Sequence, residues 1–190
     1  TLEELVEAFS LERVSKAGAK FDPEKTKWFQ QQYLRSLPNS ELAQQLREIT
    51  ELKQSDLELE RICSLMKERA TFAQDILTDG AYLFERPTSF DADTIRKKWK
   101  SETIGYINEW KALIVELSDF TSTNIEQTFK SFLSEKQLGI GAVLLPYRLV
   151  LTGVGAGPGM FEISEFLGKE EVLARIDLGL AAVEQILHEA

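Results

Sequence analysis

Four glycines alternate with other residues in Gly153-Val154-Gly155-Ala156-Gly157-Pro158-Gly159, between an apolar run beginning at Leu144 and a second apolar segment over 160–166. Glycine carries no Cβ, so this backbone can take positive φ at several points and can come close to another molecule. Pro158 stiffens one point of it. Met160 and Phe161 then place large apolar groups on the rim of the turn, and Arg148 lies just ahead of it beside Tyr147. Such a loop either admits a ligand to its backbone or merely reverses the chain, and glycine alone does not decide which. A dinucleotide-phosphate loop is the first chemistry to test, because Leu149-Val150-Leu151 can pass for a short strand. The register fails. A GxGxxG pattern from Gly153 needs glycine at 158, which is Pro158, and from Gly155 it needs glycine at 160, which is Met160. No β-α-β alternation surrounds it either.

Other catalytic chemistries are poorly supplied. His188 is the single histidine and Cys63 the single cysteine, so neither a Ser-His-Asp type triad with further partners nor a zinc cluster can be assembled in the usual way. His188 reads as a solvated helix-end residue and Cys63 as a buried structural thiol, which suits a reducing cytoplasm. The acidic residues are scattered over amphipathic segments, the pattern of a solvated face, and no carboxylate pair stands out. Twenty-two basic against thirty-one acidic residues give a net charge of −9, which argues against non-specific coating of DNA or other nucleic acid, though a local basic face is compatible with it. No run is long and apolar enough to span a bilayer, and the opening Thr1-Leu2-Glu3-Glu4 is unlike a signal peptide; beginning on Thr, the chain reads as a piece of something longer.

The elements that position these residues read as helices throughout. Leu2, Leu5, Val6 and Phe9 share one helix face, and Leu11 to Val14 starts a short second helix. Asp22-Pro23 predicts a helix start, and the helix after it carries Lys25, Lys27, Trp28, Tyr33 and Arg35. Basic residues interleaved with aromatics suit a phosphate backbone, but the stretch taken alone favours a core Trp28 flanked by snorkelling lysines. Pro38-Asn39-Ser40 is expected to break that helix and cap the next. One periodic stripe from 56 to about 78 places Arg69 on an apolar face, either snorkelling, meeting a buried carboxylate, or held with its fork aimed at a partner. A turn-rich stretch ends near residue 90. The spacing then predicts one helix over 91–117, a capping box at Thr123-Asn124-Ile125-Glu126, and a helix burying Ile125, Phe129, Phe132 and Leu133 with Lys130 beside the stripe. After Gly168 a final helix carries Val172, Leu173, Ile176, Leu180, Val183 and Leu187. The expectation is an all-α fold of eight to ten helices, a bundle or cage, without a convincing strand.

Three segments in order and at matching spacing resemble the C-terminal part of bacterial glutamyl-tRNA synthetases, a class I family: LEELVEAFSLERVSKAGAKFDPEKTKWFQQQYLR, LMKERATFAQDI and PYRLVLTGVGAGPGMFEISEFLGKEEVLARI. The resemblance runs over nearly the whole chain. It implies a fragment that begins just after the catalytic KMSKS-type loop, with a remnant of the stem-contact region over 1–37 and two all-helical anticodon-binding subdomains over 38–90 and 91–190. It implies tRNA(Glu) as partner, a monomer, no membrane and no DNA partner, and a cytoplasmic ligase that uses ATP and magnesium in a catalytic domain absent here, so that this fragment needs no cofactor.

Carried over by position, the resemblance assigns anticodon contacts to Arg148, Gly157, Pro158, Gly159, Met160, Phe161, Lys130 and Arg69, and stem contacts to Lys16, Lys20, Lys25 and Trp28. The physical reading agrees with it. An arginine fork can read a base edge, glycines let backbone approach a splayed nucleotide, and Phe161 offers an apolar platform. The chain departs from the family at Trp28-Phe29-Gln30, where Trp-Leu-Asn is usual, which puts a polar contact at that Asn in doubt. The rival reading is a helical protein–protein interaction scaffold, which predicts an exposed apolar groove and indifference to salt; a free-standing carboxylate enzyme would need a pair the sequence does not nominate.

Overall fold

Short polar side chains start five of the twelve described helices by accepting the free N–H groups of the first turn. Thr1 and Glu4 form a reciprocal capping box ahead of α1 (Leu2–Ala8). Asp22 accepts from Glu24 and Lys25 at 3.0 and 3.1 Å, with Pro23 in the first position of α2 (Pro23–Ser36). Ser55 and Glu58 repeat the box before α4 (Asp56–Met66). The remaining helices are α3 (Asn39–Ile49), α5 (Ala73–Asp79), α6 (Ala81–Phe84), α7 (Ala92–Lys98), α8 (Thr103–Glu116), α9 (Ser122–Glu135), α10 (Leu144–Thr152), α11 (Met160–Leu167) and α12 (Lys169–His188), with 3₁₀ turns at Leu11–Arg13 and Ile140–Ala142. This computed structural model describes residues 1–14, 18 and 20–189, and among them there is no strand. The all-α expectation holds, with twelve α-helices among the described residues rather than eight to ten.

The extra helices come from breaks that periodicity does not reveal. The stripe over 56–78 is interrupted after Met66, where the Asp75 carboxylate accepts the N–H groups of Thr71 and Phe72 at 2.8 and 2.9 Å and restarts the chain as α5. Arg69 falls in this break and is exposed, not on a buried face. The helix expected over 91–117 likewise splits at Trp99, where the Thr103 hydroxyl accepts the Lys100 N–H at 3.1 Å, a local bond that competes with helix. The cap of α9 is Thr121, accepting from Asn124 at 3.4 Å, two residues before the expected Thr123, while the Ser122 N–H is taken by Glu165 of α11 at 2.7 Å. Pro38 precedes α3 with no side-chain cap at all.

One continuous core runs from Leu34 to Val183. At its centre Trp110 of α8 meets Phe129 of α9 and Tyr147 of α10 edge-on, at centroid distances of 4.9 and 5.8 Å. The Tyr147 hydroxyl is paired with Ser164 at 2.7 Å, and burial pushes its pKa up. Helix α10 is enclosed by its neighbours, with Leu149, Val150 and Leu151 fully buried. Helix α12 crosses it where Gly179 lies on the Val150 backbone; a Cβ there would stand 2.4 Å from the Val150 carbonyl oxygen. Cys63 is buried, its thiol pushed up to about 12 by desolvation, and His188 is exposed at the end of α12, both as expected. Among the described residues no helix is long and apolar enough to cross a membrane.

The N-terminal part is different. α1 forms, yet Leu2, Leu5, Val6 and Phe9 are 64–71% exposed, so its apolar face is largely uncovered by the described residues. Helix α2 joins the core through buried Leu34 and is tied to the break after α4 by Gln31 to Thr71 at 3.0 Å and by Arg35 donating to the Glu68 carbonyl at 2.6 Å.

Candidate functional site

The glycine turn is moored at both ends. Helix α10 stops at Gly153, which takes φ +76°, and the Gly153 carbonyl accepts the Asp91 N–H at 2.8 Å. A Cβ on Gly153 would lie 2.3 Å from the Ser89 carbonyl oxygen, so only glycine fits this junction. The Thr152 hydroxyl donates to the Arg148 carbonyl at 2.8 Å. Further on, Pro158 is buried and its carbonyl accepts Arg148 Nη2 at 2.6 Å, which ties the turn back to the helix across a separation of 10 residues.

Arg148 is therefore held by the turn it precedes. Its Nη1 is buried and has no hydrogen-bond partner among the described residues. Leaving one polar group unpaired in this way costs about 1–3 kcal/mol. Burial, and to a smaller degree the nearby Arg69, lowers the Arg148 pKa, while Tyr82 opposes that shift; a guanidinium stays charged regardless. The position of a Cβ on Gly157 would be 2.8 Å from Arg148 Nη1 and 2.8 Å from the Tyr82 hydroxyl. The glycine backbone thus lies directly over both groups.

Beside this junction opens a hollow of about 1150 Å³, walled by the Thr50–Leu52 loop, Arg69, α5 and α6, the turn through Pro87, and the glycines at 155 and 157. Arg69, Tyr82 and the glycine turn, far apart in sequence, therefore share one concavity, while Arg148 Nη1 lies buried behind its wall under Gly157. Arg69 makes no ion pair among the described residues, so it meets no buried carboxylate. Its neighbour on the wall, Arg86, is committed to Glu171.

Other expected site residues stand elsewhere. Met160 is buried in the core, so its side chain is not on the rim of the turn; it starts α11 and packs inward. Phe161 is half-buried against Phe129 at 5.5 Å and keeps part of its ring outside. Gly159 is exposed. Lys130 lies on the outer face of α9, paired with Glu126 at 2.8 Å, and does not line the hollow. In α2, Trp28 is 53% exposed and stacked edge-on with Phe29, which corrects the reading of a core tryptophan: its helix buries only Leu34. Lys25 is exposed with its ammonium 5.8 Å from the Phe29 ring, and Lys20 is exposed. Lys16 lies outside the described residues.

Two residues escaped sequence reasoning. Tyr82 belongs to a short apolar run and carries no spacing signal. Arg175 interrupts the apolar stripe of α12 next to Ile176, and that irregularity was the available clue; it is buried, donating to Glu171 at 2.7 Å, to the Tyr82 carbonyl at 2.7 Å and to the Leu151 carbonyl at 3.3 Å.

Comparison with known proteins places this geometry in context. A family model described as an anticodon binding domain matches residues 41–180. The glutamate–tRNA ligase of Flavobacterium johnsoniae is 45% identical over 186 residues, covering 96% of this chain and 37% of that protein. That of Christiangramia forsetii is 39% identical over 178 residues, covering 92% and 35%. A crystal structure of a glutamate tRNA ligase from Elizabethkingia meningosepticum, in complex with its amino acid, matches with a TM-score of 0.86 at 36% identity, over 96% of this chain and 37% of that one. The chain spans little more than a third of the length of these relatives.

Proposed function

Because this chain belongs to the anticodon binding domain family, we propose that it recognises the anticodon loop of tRNA(Glu) as part of a glutamate–tRNA ligase. The observation that carries the reading is Arg148: one arm of its fork is anchored on Pro158, and the other is a buried, unpartnered donor directly beneath Gly157, which lines a large hollow. A splayed base brings the acceptors that such a donor lacks, and glycines permit close approach of its ring and ribose. Arg69 and the half-exposed Phe161 supply a second fork and an apolar surface within the same reading, while Gly159 offers backbone. Met160 contributes through its main chain and by holding α11.

In the same proposal residues 1–37 lie along the tRNA stem, using Lys16, Lys20, Lys25 and the exposed Trp28, and residues 38–90 and 91–190 form the two helical halves of the anticodon platform. Lys130 adds charge on the outer face. The ligase attaches glutamate to tRNA with ATP and magnesium bound outside this chain, as a monomer in the cytoplasm. The exposed apolar face of α1 fits a scaffold as well as a tRNA binder, but a scaffold gives no reason for an unpartnered guanidinium N–H beneath Gly157.

The test is binding of the chain to unmodified tRNA(Glu) and to the same tRNA with an altered anticodon, at several salt concentrations, with Arg148→Lys alongside. Anticodon-dependent binding that the variant loses, by about 1–3 kcal/mol, is the expected result. Equal binding to both tRNAs, or none, overturns the reading.

A further inference from the structure

We propose that Tyr82 is a second base-reading group, whose hydroxyl acts together with Arg148 Nη1 on the edge of a single anticodon base entering the hollow. The inference rests on the anticodon reading and adds to it a residue that reading did not contain. Both polar atoms stand 2.8 Å from the same point, the Cβ position of Gly157, so they lie within twice that distance of each other. Both have hydrogen-bonding capacity to spare. Arg148 Nη1 has no partner, and the Tyr82 hydroxyl has only the Met66 thioether at 3.8 Å, a weak acceptor that leaves the phenolic oxygen free to accept.

The tyrosine is also held as a reading group must be. Its ring is 4% exposed, and its four-residue helix α6 is fixed from outside: Arg175 donates to the Tyr82 carbonyl and, through the same Nη1, to the Leu151 carbonyl near the end of α10. One buried guanidinium thus sets the spacing between the helix of Tyr82 and the helix of Arg148. Tyr82 lines the hollow together with Arg69 and Gly157, its hydroxyl beneath the last of these. Gly157 covers the pair in the free protein, so entry of the base requires the short stretch at Gly155–Gly157 to shift while Gly153 and Pro158 stay held. A guanidinium N–H together with a hydroxyl that donates or accepts suits a base edge that presents an acceptor next to a second polar atom.

Tyr82→Phe removes the hydroxyl and keeps the ring. Binding to tRNA(Glu) and to its anticodon-altered form is measured for the wild type, Tyr82→Phe and Arg148→Lys, with melting temperature as the control on folding. The expected result is a loss of about 3- to 10-fold in the ratio of the two affinities for Tyr82→Phe, the worth of one hydrogen bond, with an unchanged melting temperature and unchanged affinity for the altered tRNA. A ratio untouched in Tyr82→Phe but reduced in Arg148→Lys overturns the role of Tyr82 and leaves the anticodon reading standing. An equal loss for both tRNAs with a lowered melting temperature makes Tyr82 structural and also overturns it. A wild-type ratio of one removes the anticodon reading itself.

Discussion

The guanidinium of Arg175, 3% exposed, donates to the main-chain carbonyl of Tyr82 at 2.7 Å across 93 residues of sequence. Its Nε donates to Glu171 at 2.7 Å, and that carboxylate is gripped from the other side by Arg86 at 2.6 Å. An arginine so enclosed is tolerable only because its charge and its donors are matched. Arg175→Met leaves Glu171 its Arg86 partner but strips the carbonyls of Tyr82 and Leu151 of their donor. The expected loss is about 3 kcal/mol, read from the midpoint of urea unfolding. A change below about 1 kcal/mol would show that water replaces the guanidinium and that the clamp does not hold α6 to α12.

The same pair sets an acid limb. The hydrogen bond from Arg86, with a further one from Arg175, depresses the Glu171 carboxyl from its ordinary 4.5 to about 2, against an opposing push from burial. A folded-state pKa below the unfolded one adds stability above pH 4.5, and that stability is lost as pH falls from about 4.5 toward 2. Glu171→Gln is therefore expected to lower stability at neutral pH and to flatten its decline over that window. Thermal unfolding of both proteins at pH 2.5 to 7 checks it; parallel curves would mean that other carboxylates govern the acid limb.

What the sequence discloses and what it hides can be read from single residues. Helical periodicity located α9, α10 and α12 because their buried positions recur at regular spacing. It joined α4 to α5 and α7 to α8 because Asp75 and Thr103 break the chain with hydrogen bonds that leave the apolar spacing intact. The glycine turn was visible in composition, and Arg148 beside it in spacing. Tyr82 was not, since it comes to the site through tertiary contacts, Arg175 of α12 to its carbonyl and Gly157 over its hydroxyl, that no local spacing records. Trp28 shows the converse: its apolar type suggested a core that α2 does not have.

Glycines separate structure from site. A Cβ on Gly179 meets main-chain atoms of Val150 at 2.4 and 2.5 Å, which cannot move without parting α10 from α12. One on Gly157 meets side-chain ends, Arg148 Nη1 and the Tyr82 hydroxyl, and would also sit at a φ of +157° that a side chain rarely adopts. Gly179→Ala is expected to destabilise by about 1–3 kcal/mol, as overpacking does. Gly157→Ala is strained in its backbone and lowers stability too, but it alone should also weaken tRNA binding. Unfolding and binding measured on both variants test the contrast, and tRNA binding weakened equally by both would refute it.

Trp28 is exposed enough that Trp28→Ala should change stability by no more than about 0.5 kcal/mol, as for a surface residue away from special features. On the stem-contact proposal it should nevertheless weaken tRNA binding, and do so equally for tRNAs of any anticodon. A large fall in melting temperature would return Trp28 to a structural role, and unchanged binding would remove it from the interface.

Salt dependence is the sharpest test of how a chain of net charge −9 holds a polyanion. Binding must come from local cations that displace counterions from phosphates, so the logarithm of affinity should fall linearly with that of salt. Lys25 is free of acidic partners among the described residues, its ammonium standing over the Phe29 ring, whereas Lys130 must first release Glu126, an exposed pair of little strength. Lys25→Ala and Lys130→Ala should each reduce the steepness of that line by about one, whatever the anticodon. Arg148→Lys keeps the charge and changes the fork, so it should lower anticodon discrimination while leaving the slope in place. If the lysine variants leave the slope unaltered, their ammonium groups do not meet the phosphates, and the stem and outer-face assignments fail independently of the hollow.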